Sequence, residues 1–105
     1  MIRLAVRTES DDRVSRIELS GHAGTAAHGN DIVCAAVSVL VENLGAGLKE
    51  LLQLPVQIKA DKGYYRLDIT KEADSHEARV LIASALFGLQ VVARQNPGRL
   101  EIISE

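Results

Sequence analysis

Apolar residues recur along this chain with two different periods, and the alternation between them sets out an order of elements. Ile2, Leu4 and Val6 alternate with Arg3, Ala5 and Arg7, the period-two signature of a strand with one buried face. The polar run Glu9-Ser10-Asp11-Asp12 marks a turn, after which Ile17 and Leu19 alternate with Arg16, Glu18 and Ser20. A second strand is therefore expected to run to about Gly21 and to close a hairpin. Residues 23–30 are small, include Gly24 and Gly29, and show no sustained period, so they read as a mobile loop. From Ile32 to about Gln53 the period lengthens: Val33, Val37, Leu40, Leu44, Leu48 and Leu51 trace one helical stripe, with Asp31 placed as its N-cap. Ile32, Ala36 and Val39 make a second apolar face, which needs cover from a sheet and another helix or from another subunit. Gly45 and Gly47 should weaken or bend this helix.

Beyond Pro55, Val56, Ile58 and Ala60 alternate with Gln57 and Lys59, giving a third strand. Asp61-Lys62-Gly63 forms a hairpin turn, and the return strand sets Tyr65, Leu67 and Ile69 on one face against Tyr64, Arg66 and Asp68 on the other. Asp74 followed by Glu77 reads as a capping box opening a second helix, whose expected core stripe is Val80, Ala83, Phe87 and Val91. Asn96-Pro97-Gly98 stops it, and Leu100 to Ile103 supply a closing strand. The order ββαββαβ, with hairpins that imply mainly antiparallel pairing and two helices to cover the sheet, predicts an α+β two-layer sandwich.

At 105 residues the chain has the size of one compact domain, expected to span 1–105. Its 47% apolar content can build a core, and a net charge of -2 without blocks of like charge lacks the basic footprint of a dedicated nucleic-acid binder. Arg3 and Arg7 interrupt the apolar residues of the N-terminus, which reads against a signal peptide. The uncharged run from Val80 to Ala93 is shorter than the roughly 20 residues of a membrane span. A single cysteine excludes an intramolecular disulfide and suggests a reducing, cytoplasmic setting.

That cysteine is Cys34. With Asp31 as N-cap it would lie in the first helical turn, where unpaired N–H groups and the positive end of the dipole favour a thiolate and offer an oxyanion hole. His22, at the end of the second strand, can fold back over the helix terminus and exchange protons with the thiol, as acyl transfer by cysteine requires. Residue chemistry alone leaves other readings open. Cys34 sits among Ile32, Val33, Ala35, Ala36 and Val37 and would serve equally as an inert core thiol. His22 would serve as a loop residue bonded to backbone and Asp31 as a plain cap. A metal reading also exists, with His22, His28 and Cys34 as three zinc ligands, but no Cys-x-x-Cys or His-x-x-x-His element makes two of them converge. No cofactor is expected, and the sequence has no phosphate-binding glycine loop or nucleophile-elbow serine.

Gly21-His22-Ala23 followed by Gly29-x-Asp31-Ile32-Val33-Cys34-Ala35-Ala36-Val37-Ser38 closely resembles the signature of the ribosomal-processing cysteine protease family. The resemblance implies a homodimeric bacterial endopeptidase that removes a short N-terminal extension from a large-subunit ribosomal protein, number twenty-seven in the usual naming. It implies Cys34 as nucleophile and His22 as proton-transfer residue. Gly21, Asp31 and Ser38 fall on matching positions near the nucleophile and are expected to line the substrate site. Ala27 and His28 depart from the acidic and aromatic pair that members often carry before the second glycine. The competing functions are a catalytically silent module that binds a ribosomal protein, which would need neither His22 nor Cys34, and a redox sensor built on one thiol.

Overall fold

The computed structural model describes residues 1–21 and 28–105, with side chains described for 1–21 and 32–105. Five strands form one sheet: β1 (Ile2–Thr8), β2 (Val14–Ser20), β3 (Val56–Asp61), β4 (Tyr64–Ile69) and β5 (Leu100–Ser104), in the spatial order β3-β4-β2-β1-β5. All neighbours pair antiparallel except β1 and β5, which are parallel because α2 (His76–Gln95) carries the chain back across the sheet before β5 begins. The mainly antiparallel sheet, its two long helices and the order ββαββαβ agree with the pattern of the sequence.

Register places the apolar residues opposite one another. Leu4 faces Leu19 and Val6 faces Ile17 across the first hairpin; Ile17 faces Leu67, Leu19 faces Tyr65, and Val56 faces Ile69 further across the sheet. These side chains join one core with Val33, Val37, Val41, Leu44 and Leu48 of the first helix, α1 (His28–Ala46, with Leu48 in its continuation), and with Ala78, Ile82, Ala85 and Leu89 of α2. The opposite face is polar. There Asp68 accepts hydrogen bonds of 2.8 Å from Arg16 Nε on the neighbouring strand and from Arg66 Nε on its own, and Tyr64 donates to Glu18.

The long helix differs at both ends from its expected bounds. It begins at His28, so part of the expected loop over 23–30 is helical, and residues 22–27 lie outside the described residues. At the other end the α-helical pattern gives way at Gly47 to a π-helical segment over Gly47–Leu51, where the N–H of Leu52 donates to the carbonyl of Gly47, five residues back, at 2.9 Å. The wider turn shifts the phase of the stripe: Leu48 stays fully buried, whereas Leu51, expected on the core face, is 76% exposed. Gln53, at φ 53°, then breaks the chain out of the helix. Gly45 has a separate role. A Cβ there would collide with the hydroxyl of Tyr65, so its absence lets the phenol ring of β4 lie directly against the helix backbone.

The second helix is capped one residue later than the sequence suggests. Ser75, in extended conformation, accepts a 3.1 Å hydrogen bond from the N–H of Ala78, while Asp74 holds Arg79 through contacts of 2.7 and 2.8 Å. The core stripe is also different: Ala78, Ile82, Ala85 and Leu89 are buried, whereas Val80 and Phe87 are 52% and 63% exposed, Ala83 is exposed and Val91 half-buried. Both stripes are apolar at helical spacing. The small residues decide between them, because Ala78 and Ala85 permit close approach and Gly88 leaves room for Leu40 of α1, whose side chain would lie 3.3 Å from an added Cβ.

Asp68 shows how the polar face contributes. Partial burial works to raise its carboxyl pKa, but the hydrogen bonds and charges of Arg16 and Arg66 outweigh that and hold it below the ordinary carboxylate value. A depressed folded-state pKa stabilises the fold above the unfolded value near 3.8 and loses that contribution as pH falls through the folded one. Asp68→Asn should therefore cost about 1 kcal/mol in urea unfolding at pH 7. The gap between variant and wild type should close as the titration is repeated below pH ~3.

Candidate active site

Cys34 is the seventh residue of α1, two turns in rather than at the N3 position. The expectation that Asp31 caps the helix and that Cys34 lies among its free N–H groups is therefore corrected. The unpaired donors of a helix are its first four, and the influence of the dipole fades within the first turn. The backbone at Cys34 belongs to the regular part of α1, so any help from the helix terminus comes from the residues before it. Asp31 lies within the same helix, three residues earlier, and its side chain is outside the described part.

The thiol is half-buried and packs against the edge of the core, beside the fully buried Val37 and the nearly buried Val33. Ser38, four residues on and also half-buried, stands one turn further along the same face. The next position on this line is Glu42, which is exposed. Beyond it an open groove of about 540 Å³ is lined by Glu42, Ala46, Lys49 and Glu50 from the helix and by Ile58 and Tyr65 from the sheet. Burial raises the pKa of the Tyr65 phenol, and the charge of Glu42 raises it further, so the ring presents a neutral hydroxyl. Period-two alternation sets Tyr65 on one face of its strand with Leu67 and Ile69 and does not single out Glu42; the one signal for their association is Gly45, a glycine within a helical run.

Gly21 ends β2 at φ 78°, and a Cβ there would come within 2.6 Å of the carbonyl oxygen of Met1. Backbone geometry accounts for this glycine: the chain turns out of the sheet, past the start of β1, where a side chain has no room. His22 follows directly and lies outside the described residues, as do residues 23–27. The structure therefore positions the two ends of the segment that carries His22, at Gly21 and His28, and leaves the distance from His22 to Cys34 open. Among the described residues no three His, Cys, Asp or Glu side chains gather as a metal site. Gly21→Ala should lower unfolding stability by about 1–3 kcal/mol, from the left-handed backbone and the clash with Met1, as read by urea denaturation.

The family described as cysteine protease Prp matches residues 1–101. The curated Bacillus subtilis protein named ribosomal processing cysteine protease Prp is 29% identical, over 97% of this chain and 96% of its own. Among solved structures, the Staphylococcus aureus ribosomal processing protease Prp, in complex with a substrate peptide, superposes with a TM-score of 0.92 at 20% identity, covering all of both chains. A Streptococcus mutans protein is 32% identical, with a TM-score of 0.84 over all of this chain and 96% of that one. By the match over nearly its whole length, this chain belongs to the Prp family of cysteine proteases.

Proposed function

We propose that this protein is a cytoplasmic, homodimeric endopeptidase that removes the N-terminal extension of the large-subunit ribosomal protein numbered twenty-seven. The observation that carries this reading is the place of Cys34: half-buried on a packed helix, on the same line as Ser38, in a chain that turns out of the sheet at Gly21, the residue before His22. The same residues form the motif by which the sequence resembles the family. The name of the Bacillus subtilis relative supports a ribosomal substrate. A silent binding module or a redox sensor has no observation in its favour beside membership in a protease family.

In this reading His22 takes the proton of Cys34, and the thiolate Sγ adds to the scissile carbonyl carbon, moving the carbonyl electron pair onto oxygen. Collapse of the tetrahedral intermediate breaks the C–N bond, and the imidazolium of His22 protonates the departing amine. The N-terminal fragment is left as a thioester on Cys34. His22 then takes a proton from water, which adds to the thioester; the sulfur leaves and is reprotonated. Gly21 sets the direction in which His22 departs from β2. Asp31 and Ser38, three residues before and four after Cys34 on α1, would contact the peptide beside the scissile bond.

The outer helix surfaces support the dimer. Ile32 and Val39 on α1 are 72% and 65% exposed, and Val80 and Phe87 on α2 are also open to solvent in the single chain. Burying such side chains is worth roughly 1.5–3 kcal/mol each, which favours a second subunit as their cover.

Cys34→Ala should abolish conversion of the full-length ribosomal protein to its shortened form, a loss of at least about a thousandfold by mass spectrometry. Its stability should stay within about 1 kcal/mol of wild type, because one sulfur atom is lost from a half-buried position. Full cleavage by that variant would contradict the assignment. In sedimentation at micromolar concentration the wild type should run as a dimer and Phe87→Glu as a monomer; a wild-type monomer would leave the apolar helix faces without this explanation.

A further inference from the structure

We infer that the groove between the end of α1 and the β3–β4 hairpin is a specificity pocket of the peptide site, and that it takes a lysine or arginine side chain about four residues from the scissile bond. This rests on the endopeptidase reading of Cys34. Cys34, Ser38 and Glu42 occur at intervals of four along α1 and so follow one ridge of the helix, each about 40° round from the one before. Eight residues of α-helix rise about 12 Å. An extended peptide advances about 3.3 Å per residue, so a chain whose scissile carbonyl is at Cys34 and which follows this ridge reaches Glu42 after about four residues.

The chemistry at that point is specific. The groove offers two carboxylates, Glu42 and Glu50, against one ammonium, Lys49, so its balance is negative. Its floor is Ile58 and the ring of Tyr65, the latter seated against the bare backbone of Gly45 with its hydroxyl beneath the helix. Glu42 is close enough for its charge to act on that phenol. An aliphatic stem ending in a cation meets both requirements, packing on Ile58 and Tyr65 and directing its charge to Glu42. A carboxylate side chain in the same place would face Glu42 and Glu50 with like charge.

The test uses peptides spanning the encoded N-terminal extension of the ribosomal protein, with lysine and glutamate placed in turn at each of the five positions on either side of the cut. Wild type should favour lysine over glutamate about fivefold in kcat/KM at one position, four residues from the cut, with much smaller effects next to it. Glu42→Lys should reverse that preference at the same position, and Glu42→Gln should remove it. Glu42 is exposed, so neither change threatens the fold. Alkylation of Cys34 by iodoacetamide should proceed at the wild-type rate in both variants, which separates a lost pocket from a damaged thiol site. Binding of the same peptides to Cys34→Ala should follow the same order of preference. Cleavage with a preference that ignores Glu42 overturns the pocket and leaves the endopeptidase reading intact. Peptides that bind Cys34→Ala with the charge preference, yet are not cleaved by wild type, uphold the pocket and overturn that reading. Peptides neither bound nor cleaved overturn both.

Discussion

Val33, Val37, Val41, Leu44 and Leu48 are each no more than 3% exposed, and their contact with Leu19, Leu67 and the rest of the sheet core fixes the rotation of the helix that bears Cys34. Each such side chain contributes roughly 1.5–3 kcal/mol by leaving water. Turning the helix by one residue, about 100°, would expose most of them, so the direction of Cys34 is held by the whole buried face. The thiol sits at the border of that face. It packs against the core and is still partly open to solvent.

Two glycines adapt the backbone to this arrangement at places where side chains would interfere. Gly45 lets Tyr65 press against the helix, which keeps the long element tight on β4 and forms the floor of the groove beyond Ser38. Gly21 turns the chain away from the sheet beside Met1, at the point where the segment carrying His22 departs. The sheet thus serves two faces with different physics. One gives apolar area to hold α1 and α2, and the other is stabilised by ion pairs such as Arg16 and Arg66 with Asp68, whose strength depends on pH.

The strands were legible because period-two alternation assigns each residue to a face, and Leu4, Leu19, Tyr65 and Leu67 all lie where that rule puts them. The helix faces were less so. In α2 two apolar stripes compete, and only the fit of Gly88 to Leu40 and the small size of Ala78 and Ala85 select the buried one, information that arises from tertiary contact. The start of α1 was obscured because small residues around Gly29 mimic a loop, and its end because a π-turn after Gly45 and Gly47 resets the phase. Of the site, Cys34 could be located through its motif, whereas its depth within the helix could not. Ser75 took the cap expected of Asp74 because Asp74 engages Arg79, a pairing that local spacing does not specify.

Covalent catalysis at Cys34 is tested most directly by trapping the acyl-enzyme. Wild-type protein mixed with an excess of a peptide spanning the cleavage site, quenched in acid within the first turnover and measured as intact protein, should gain the mass of the N-terminal fragment minus one water. Fragmentation should place that mass on Cys34 as a thioester. Turnover of the same peptide with the added mass on a different residue would contradict the account.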